Sequence, residues 1–364
     1  MAIKFPIVRP VLPAIDVYQK YVQSVFDSKW LTNSGPLHQQ LEQRLAEHLG
    51  VEHLMLVANG TFALQVAYQA LGLTDSSRPI LTTPFSFAAT ASSVAWQGHQ
   101  CQFVDIDSSS LNIDPKLITQ EQVRAASAIV ATHVFGNPCD VHHLEKLTKG
   151  LDTKVIYDAA HAFNCRLNGE SVLNWGDAST LSLHATKIFH CVEGGAIVFK
   201  KAHDLQRAKE MINFGFNRHQ YPENVGINAK MSEMHAAMGL SLLDDVDAIQ
   251  EQRIEAVDTY KSLLNDDFEF QQWVDGSCNN GAYMPILCKD EKQLLKLMQH
   301  LTEDGVQTRR YFYPSLSEVE CYGKRGETPI ANEISRRVLC LPLYGDLTVS
   351  EVKQICGMVK SALR

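Results

Sequence analysis

A lysine between two apolar runs is the first residue in this sequence that could carry out covalent chemistry. Lys187 follows the run 179-STLSL-183 and precedes the run 194-GGAIVFK-200. Burial between two strands lowers the pKa of an amine and makes it a nucleophile that can form a Schiff base. The same spacing is also typical of a surface lysine in a β-hairpin, so the lysine alone does not decide between the two interpretations.

Three other segments place ligand-binding groups after predicted strands. Asp158 ends the run 154-KVIYD-158, at the edge of an α/β sheet where ligands bind, although it could also cap a following helix. The turn 59-NGT-61 leads into a helix, whose free N–H groups and dipole favour a phosphate. Phe85 and Phe87 follow the next strand, where aromatic rings either belong to the core or stack on a flat ligand.

These features occur in the order phosphate turn, aromatic ring, carboxylate and amine, each after a separate predicted strand. Pyridoxal phosphate requires this set: an anion site, a ring to stack on, a carboxylate for the pyridinium nitrogen and an amine for the aldehyde. Because the joint occurrence is far more specific than any one feature, the sequence predicts a site for this cofactor.

Alternating strand-like and helical runs must position these residues. Strands are predicted near residues 53–58, 79–83, 101–106, 128–134, 154–158, 179–183 and 194–200. Helical segments between them predict an α/β fold with a mostly parallel sheet. We expect a large domain over 1–240 and a smaller α+β domain over 241–364, with which the N-terminal segment could also pack. A single helix is predicted over 231–264, and further strands over 282–288 and 306–312.

Composition excludes several classes of protein. The chain has 33 basic and 41 acidic residues, hence a net charge of −8, which disfavours nucleic acid or an anionic membrane as a partner. No apolar run approaches ~18 residues, so no membrane-spanning helix is expected. The N-terminus does not resemble a secretory signal, and we expect a cytoplasmic protein.

The cysteines and histidines do not predict disulfides or a metal site. Nine cysteines are an odd number, widely spaced and without a C-x-x-C pair, which favours reduced thiols. His133, Cys139, His142 and His143 lie close in sequence, but their spacing matches no familiar zinc pattern. Structural roles are expected for them, and no metal.

Several segments together resemble one known family. They are 30-WLTNSGPLHQQLEQRLAEHLG-50, 154-KVIYDAAHAF-163, 182-SLHATK-187, 193-EGGAIV-198, 226-GINAKMSEMHAAMGL-240 and 336-RRVLCLPLY-344. The chain resembles the DegT/DnrJ/EryC1/StrS family, the pyridoxal-phosphate-dependent nucleotide-sugar aminotransferases of fold type I. The resemblance implies a seven-stranded-type sheet and an obligate homodimer with shared active sites.

The resemblance also implies roles for individual residues. Lys187 would form the Schiff base with the cofactor and move the proton, and Asp158 would hold the pyridinium N–H. His161 would lie near the phenolic oxygen, and Phe87, or else Phe85, would stack on the ring. The phosphate would be bound at Gly60, at the backbone of Thr61 and Phe62, by the Ser182 hydroxyl, and by Asn228 of the neighbouring subunit.

The substrate site is expected to use a second set of residues. By matching position they are Leu31, Thr32, Asn33, Ser34, His184 and residues near 309-RRYFYP-314, including Tyr313. The polar stretch 213–230 around Asn228 is expected at the subunit interface, although a flexible surface loop would have the same composition.

The phosphate turn indicates which ketone is aminated. The sequence 59-NGTFAL-64 resembles the corresponding turn of the sugar 4-aminotransferases of the family rather than that of the 3-aminotransferases. This implies transfer of an amino group from glutamate to a 4-keto-6-deoxy nucleotide sugar, with dTDP-4-keto-6-deoxyglucose expected. The alternatives are amination of a 3-keto-6-deoxy sugar and a non-catalytic, cofactor-binding regulator. Related dehydratases have histidine in place of the lysine, and Lys187 argues against that reaction.

Overall fold

The computed structural model describes residues 3–323 and 326–364, which form an α/β protein with one large sheet. The strands are β1 (Leu54–Val57), β2 (Ile80–Thr82), β3 (Cys101–Phe103), β4 (Ala128–Thr132), β5 (Lys154–Asp158), β6 (Arg166–Leu167), β7 (Glu170–Ser171), β8 (Ala178–Ser182), β9 (Gly195–Phe199), β10 (Pro285–Leu287) and β11 (Val338–Cys340).

Helices surround the sheet and form most of the C-terminal part. They are α1 (Ile15–Ser28), α2 (Pro36–Leu49), α3 (Gly60–Ala70), α4 (Ala88–Trp96), α5 (Gln120–Ala125), α6 (Val141–Thr148), α7 (Ala202–Met211), α8 (Glu233–Leu243), α9 (Val246–Leu264), α10 (Glu291–Glu303), α11 (Pro329–Arg337) and α12 (Val349–Leu363).

The large sheet has seven strands in the order β1-β9-β8-β5-β4-β2-β3. Strand β9 runs antiparallel to both of its neighbours, and the remaining pairs are parallel. Strand β4 is buried along its whole length, as expected for a parallel sheet covered on both faces. The expected fold class is confirmed. The carboxyl ends of β4, β5 and β8 meet at one edge, where nine of the predicted site residues lie.

The C-terminal part has a core of its own. Strands β10 and β11 pair antiparallel, and α9, α10 and α12 contribute buried residues such as Tyr260, Leu297 and Val359 to the same cluster. Phe5 joins this cluster from the N-terminal segment, and its backbone N–H donates to the Gly305 carbonyl. The boundary at residue 240 stays a prediction.

Two predicted elements of the C-terminal half are wrong. The predicted helix 231–264 is two helices, α8 and α9, separated at Asp244 and Asp245. Aspartate has low helix propensity because its side chain competes for backbone N–H groups, and it favours helix starts. The predicted strand 306–312 contains only isolated pairings, Val306 with Phe5 and Arg309 with Cys340, and these two partners belong to different segments.

The remaining expectations about the whole chain concern cysteines and membranes. All nine cysteines are free thiols, and seven of them are buried, where cysteine packs as a small apolar side chain. Within the described residues, no helix combines the length and the hydrophobicity needed to cross a membrane.

Candidate active site

A cavity of about 640 Å³ opens at the edge of the sheet where β5 and β8 end. Nine of the predicted site residues line it: Gly60, Thr61, Phe62, Phe87, Asp158, His161, Ser182, His184 and Lys187. They come from four separate stretches of sequence, and the parallel strands bring them together because their carboxyl ends share one edge.

Lys187 lies in the connection between β8 and β9, and its amine faces the cavity. The side chain is half-buried, and Nζ donates a hydrogen bond to the hydroxyl of Tyr283 over 3.2 Å. Burial lowers the pKa of Lys187 to about 8, although the negative charge of Asp158 acts in the opposite direction. A surface lysine in a hairpin would keep its ordinary pKa, so the structure favours the nucleophile.

Asp158 ends β5 and turns its carboxylate into the same cavity. The side chain is only 5% exposed. Thr90 Oγ1 donates to Oδ2 over 2.6 Å, and the Ala160 N–H donates to Oδ1 over 3.1 Å. Burial raises the pKa of Asp158, while these bonds and the charge of Lys187 lower it. No helix begins after it, because residues 159–163 form turns, so the interpretation as a helix cap is wrong.

A chain of buried hydroxyls orients this carboxylate. Thr132 donates to Ser86 over 3.0 Å, Ser86 and Thr90 share a hydrogen bond of 2.7 Å, and Thr90 donates to Asp158. All three hydroxyl residues are buried. The carboxylate is therefore held by neutral donors and has no cation of its own within hydrogen-bond distance among the described residues. It can pair with a positive charge brought by a ligand.

The start of α3 forms a cradle for an anion. Asn59 caps the helix and accepts the Phe62 N–H over 2.8 Å, so the Phe62 N–H, which we expected to bind phosphate, is already occupied. In the described part of the chain, the N–H groups of Gly60 and Thr61 meet no acceptor. A Cβ on Gly60 would lie 3.0 Å from the Cβ of Ser182. The glycine thus keeps open the space between a helix N-terminus and a hydroxyl, which suits a phosphate.

The aromatic side chains at the cavity divide into exposed and buried ones. Phe87 lines the cavity and is 56% exposed, whereas Phe85 is buried and packs edge-on against Phe312 at 5.6 Å. Of these two candidates, Phe87 is therefore the one that is free to stack on a ligand ring. His161 stacks on Phe312 at 5.6 Å and accepts the Phe135 N–H at Nδ1 over 3.3 Å. Burial holds the pKa of His161 well below its ordinary value, so the ring is neutral.

The other predicted site residues lie outside the cavity formed by one chain. Asn228 is exposed and pairs with Asn213. The segment 31–34 contacts the start of α8, where the Glu233 N–H donates to the Leu31 carbonyl. Its residues are Leu31, Thr32, Asn33 and Ser34. Tyr313 packs under the guanidinium of Arg310 at 3.4 Å. Their binding roles stay predictions.

Further residues line the cavity that we did not single out from the sequence. They are chiefly Glu193, Tyr283, Arg309 and Tyr311. Glu193 lies 3.6 Å from the ring of His184. Within the described residues, Arg309 has no carboxylate within ion-pair distance, so its charge is available to an anionic ligand. Arg309 and Tyr311 belong to the segment 309–314 that the family resemblance indicated, whereas no local pattern points to Tyr283.

Two histidines of the group His133, Cys139, His142 and His143 contact neighbouring aromatic rings. His133 is buried, stacks on Tyr157 at 4.6 Å, and accepts the Cys139 N–H at Nδ1. His142 contacts Trp175 edge-on at 4.6 Å. In the part of the chain that the structure describes, no three His, Cys, Asp or Glu side chains are grouped to hold a metal ion.

An amine, a buried carboxylate and an anion cradle around one cavity, on this sheet, are the groups that pyridoxal phosphate requires. The chain belongs to the DegT/DnrJ/EryC1/StrS aminotransferase family, whose model matches residues 15–360.

Known relatives agree with this assignment over nearly the whole chain. The chain is 37% identical to the dTDP-4-amino-4,6-dideoxy-D-glucose transaminase of Shigella dysenteriae, over 97% of this chain and 98% of that protein. It is 36% identical to the Escherichia coli enzyme of the same name, over 97% of each chain. The crystal structure of DesI in the presence of its TDP-sugar product has a TM-score of 0.92 at 30% identity, and covers 99% of this chain and 93% of DesI.

Proposed function

We propose that this aminotransferase uses pyridoxal 5'-phosphate to transfer the amino group of glutamate to C4 of a 4-keto-6-deoxy nucleotide sugar, with dTDP-4-keto-6-deoxyglucose as the substrate. The observation that carries the proposal is the meeting of Lys187, Asp158 and the start of α3 at one cavity. The full-length similarity to two transaminases named for dTDP-4-amino-4,6-dideoxy-D-glucose supports the choice of sugar.

The residues of the cavity fit this cofactor. The N–H groups of Gly60 and Thr61, at the positive end of the α3 dipole, and the Ser182 hydroxyl would hold the phosphate. Phe87 is exposed at the cavity and would cover one face of the ring. The Asp158 carboxylate, which has only neutral donors around it, would receive the charged ring nitrogen.

Lys187 is the residue that moves protons. When bound, the cofactor supplies a carbonyl that accepts the amino group and a ring that withdraws electrons. With a pKa of about 8, Nζ is close to the working pH and can both take and return a proton. In each half of the reaction Nζ would take one proton and return it, so that Cα of glutamate loses a proton in the first half and C4 of the sugar gains one in the second. Glutamate leaves as 2-oxoglutarate, and the ketone becomes an amine.

Arg309 is the residue that would bind an anionic substrate group. It lines the cavity, and its guanidinium can bind a carboxylate through two parallel hydrogen bonds. The α-carboxylate of glutamate and the diphosphate of the nucleotide sugar both require such a partner. His184 and its neighbour Glu193 also line the cavity and would contact the sugar.

Incubation of the purified protein with cofactor, glutamate and a panel of keto sugars tests the proposed function. The panel contains 4-keto and 3-keto 6-deoxy sugars linked to dTDP, UDP and GDP, and mass spectrometry and NMR identify the product and the aminated carbon. We expect amination at C4 of the dTDP sugar. Amination at C3 would instead establish the 3-aminotransferase, and no amination of any sugar would contradict the proposed activity.

We also propose that the active site is completed by a second copy of the chain. The segment 213–230 exposes large apolar side chains, among them Phe214, Tyr221 and Val225, the last 92% exposed. Apolar side chains grouped in this way are typical of an interface between subunits. Asn228 lies in the same segment, is exposed, and does not reach the cavity of its own chain. A symmetric dimer would let this asparagine bind the phosphate in the neighbouring cavity.

Mixed dimers of two inactive variants are expected to recover activity. Asn228→Asp places a negative charge beside the phosphate, and Lys187→Ala removes the amine. If the asparagine acts across the interface, a mixed dimer keeps one intact site of its two, so the purified mixed dimer should have roughly half of the wild-type activity. Co-expression with two affinity tags and assay of the doubly purified species measures this.

A matched pair controls for recovery by other means. Lys187→Ala mixed with Asp158→Asn should stay inactive, because both residues line the cavity of the same chain. Absence of recovery in the first mixture as well would show that Asn228 does not act across the interface.

A further inference from the structure

The hydroxyl of Tyr283 lies beside the amine of Lys187, although the two residues are 96 positions apart in the chain. Over residues 3–323 and 326–364, this contact of 3.2 Å is the only hydrogen bond of the amine. The phenol ring is packed edge-on against His161 at 4.8 Å and tilted against Phe135 at 5.3 Å. These contacts fix the position of the hydroxyl at Nζ.

We propose that Tyr283 is a catalytic residue that holds the Lys187 amine in place, and that the buried guanidinium of Arg253 is the positioning residue that directs Tyr283 to it. The proposal rests on the proposed function, in which Lys187 Nζ takes and returns a proton in each half of the reaction.

Arg253 is an unusual residue in the core of the protein. It lies in α9, is 3% exposed, and forms no ion pair with any described carboxylate. Its Nε donates to the Gly281 carbonyl over 2.7 Å and its Nη2 to the Ala282 carbonyl over 3.0 Å. A buried cation without a counterion is costly. The planar guanidinium of Arg253 instead holds the carbonyl groups of the two residues immediately before Tyr283.

A second side chain holds the same turn from the opposite side. Asn280 Nδ2 donates to the carbonyls of His161 and Phe163 over 2.9 and 3.1 Å, and the Asn280 carbonyl accepts from Gln250 over 3.0 Å. The turn is thereby tied both to the loop after β5 and to α9. Hydrogen bonds that hold the backbone next to a reacting group keep that group in position.

The chemistry of a phenol suits this position. Burial raises the pKa of Tyr283 well above its ordinary value, so the hydroxyl stays neutral while Lys187 titrates. A neutral hydroxyl can accept a hydrogen bond from an ammonium and donate one to the lone pair of an amine. Nζ can therefore keep the same partner in both protonation states, and no bond to Tyr283 is made or broken.

Tyr283→Phe is expected to lower kcat about 10- to 100-fold, the effect of losing one hydrogen bond to a charged group. KM should change less than about threefold, because the ring and its contacts remain. Tyr68→Phe is the matched control, since it removes a buried phenol hydroxyl that contacts Ser93 at 3.0 Å and not Lys187. The control should keep kcat within about twofold.

A second measurement does not depend on turnover. The full-length, cofactor-free protein is labelled at each pH with a limiting pulse of acetic anhydride, and peptide mass spectrometry gives the acetylation of Lys187. We expect the acetylation of Lys187 to reach its midpoint at a pH of about 8 in the wild type. The midpoint should be lower in Tyr283→Phe, because the ammonium loses its hydrogen-bond acceptor. An unchanged midpoint together with an unchanged kcat would overturn the proposal and leave Tyr283 a packing residue.

The role of Arg253 is tested by combining variants. Arg253→Lys keeps the charge but cannot hold both carbonyls, and we expect kcat to fall about 10-fold. The double variant with Tyr283→Phe should be no slower than Tyr283→Phe alone, since Arg253 acts through that hydroxyl. Additive losses would refute the positioning role. If Arg253→Lys does not fold, Arg253→Gln takes its place in the cycle.

The two proposals fail in different ways. If the wild type aminates no keto sugar, the proposed function is wrong, whereas the labelling comparison still decides whether Tyr283 holds the Lys187 amine. If the wild type is active and Tyr283→Phe matches it in both measurements, only the Tyr283 proposal is wrong.

Discussion

Lys187→Ala is expected to abolish amination of the keto sugar, with a loss of about 10³-fold or more, because a single proton-transfer group contributes ~10²–10⁴-fold. The variant also loses the amine that would bind the aldehyde of the cofactor, so the absorption band of the covalently bound cofactor should be missing. Both results are read from the same purified protein, by spectrophotometry and by the coupled formation of 2-oxoglutarate.

Folding should not account for this loss. Burial disfavours the charged form of Lys187 and lowers its pKa to about 8. Within the described residues its amine forms no ion pair, so the melting temperature should not fall when it is removed. Lys187→Arg keeps a cation but cannot form the covalent link, and it should be equally inactive. Lys154→Ala, at the far end of β5 beside Asp152, should behave as the wild type. A Lys187→Ala variant that kept the band and the turnover would contradict the proposed function.

The parts of the site that could be predicted from sequence are those that lie at the ends of strands. Asp158 and Lys187 each follow an apolar run that forms a strand of the large sheet. Parallel strands deliver their carboxyl ends to one edge, so local patterns are sufficient to place these groups near each other. The turn before α3 could be predicted for the same reason.

The parts that could not be predicted depend on contacts between distant segments. Tyr283 reaches the cavity from the C-terminal part, and nothing in its local sequence distinguishes it from a packing residue. Arg309 is indicated only by the family resemblance of the segment 309–314. Thr90, Ser86 and Thr132 orient the carboxylate through hydrogen bonds. Threonine and serine are common in buried strands and helix starts, so their function depends on which neighbours the fold provides.

Two adjacent aspartates mark the break between α8 and α9, but the apolar periodicity of the sequence predicts a helix across them. The apolar spacing continues through Asp244 and Asp245 and predicts one helix over 231–264. The structure ends the first helix there with the tighter turn in which the Asp245 N–H donates to the Leu242 carbonyl. Adjacent aspartates are better suited to a helix boundary than to its interior. Arg253, which holds the turn before Tyr283, lies in the second of these helices.

Asp158→Asn is expected to separate activity from stability. Removing one partner of a buried ion pair costs about 3–5 kcal/mol, so kcat/KM should fall roughly 10²- to 10⁴-fold, because the amide cannot balance the positive ring nitrogen.

In the cofactor-free protein the same substitution should not lower the stability of the fold. Burial raises the folded-state pKa of Asp158, so the stability of the cofactor-free protein falls as pH rises above the unfolded pKa, and asparagine removes that loss.

The amide can replace the carboxylate without disturbing the fold. Its oxygen can accept the Ala160 N–H, and its NH₂ can donate to Thr90 Oγ1, which can turn its own hydrogen toward Ser86. At neutral pH the cofactor-free variant should therefore melt at the wild-type temperature or above it, as measured by calorimetry. Asp177→Asn, whose carboxylate accepts the Val155 N–H near the start of β5, is the control and should keep its activity. Wild-type turnover in Asp158→Asn, or a fall in activity that only follows a fall in melting temperature, would show that this carboxylate serves the fold and not the cofactor.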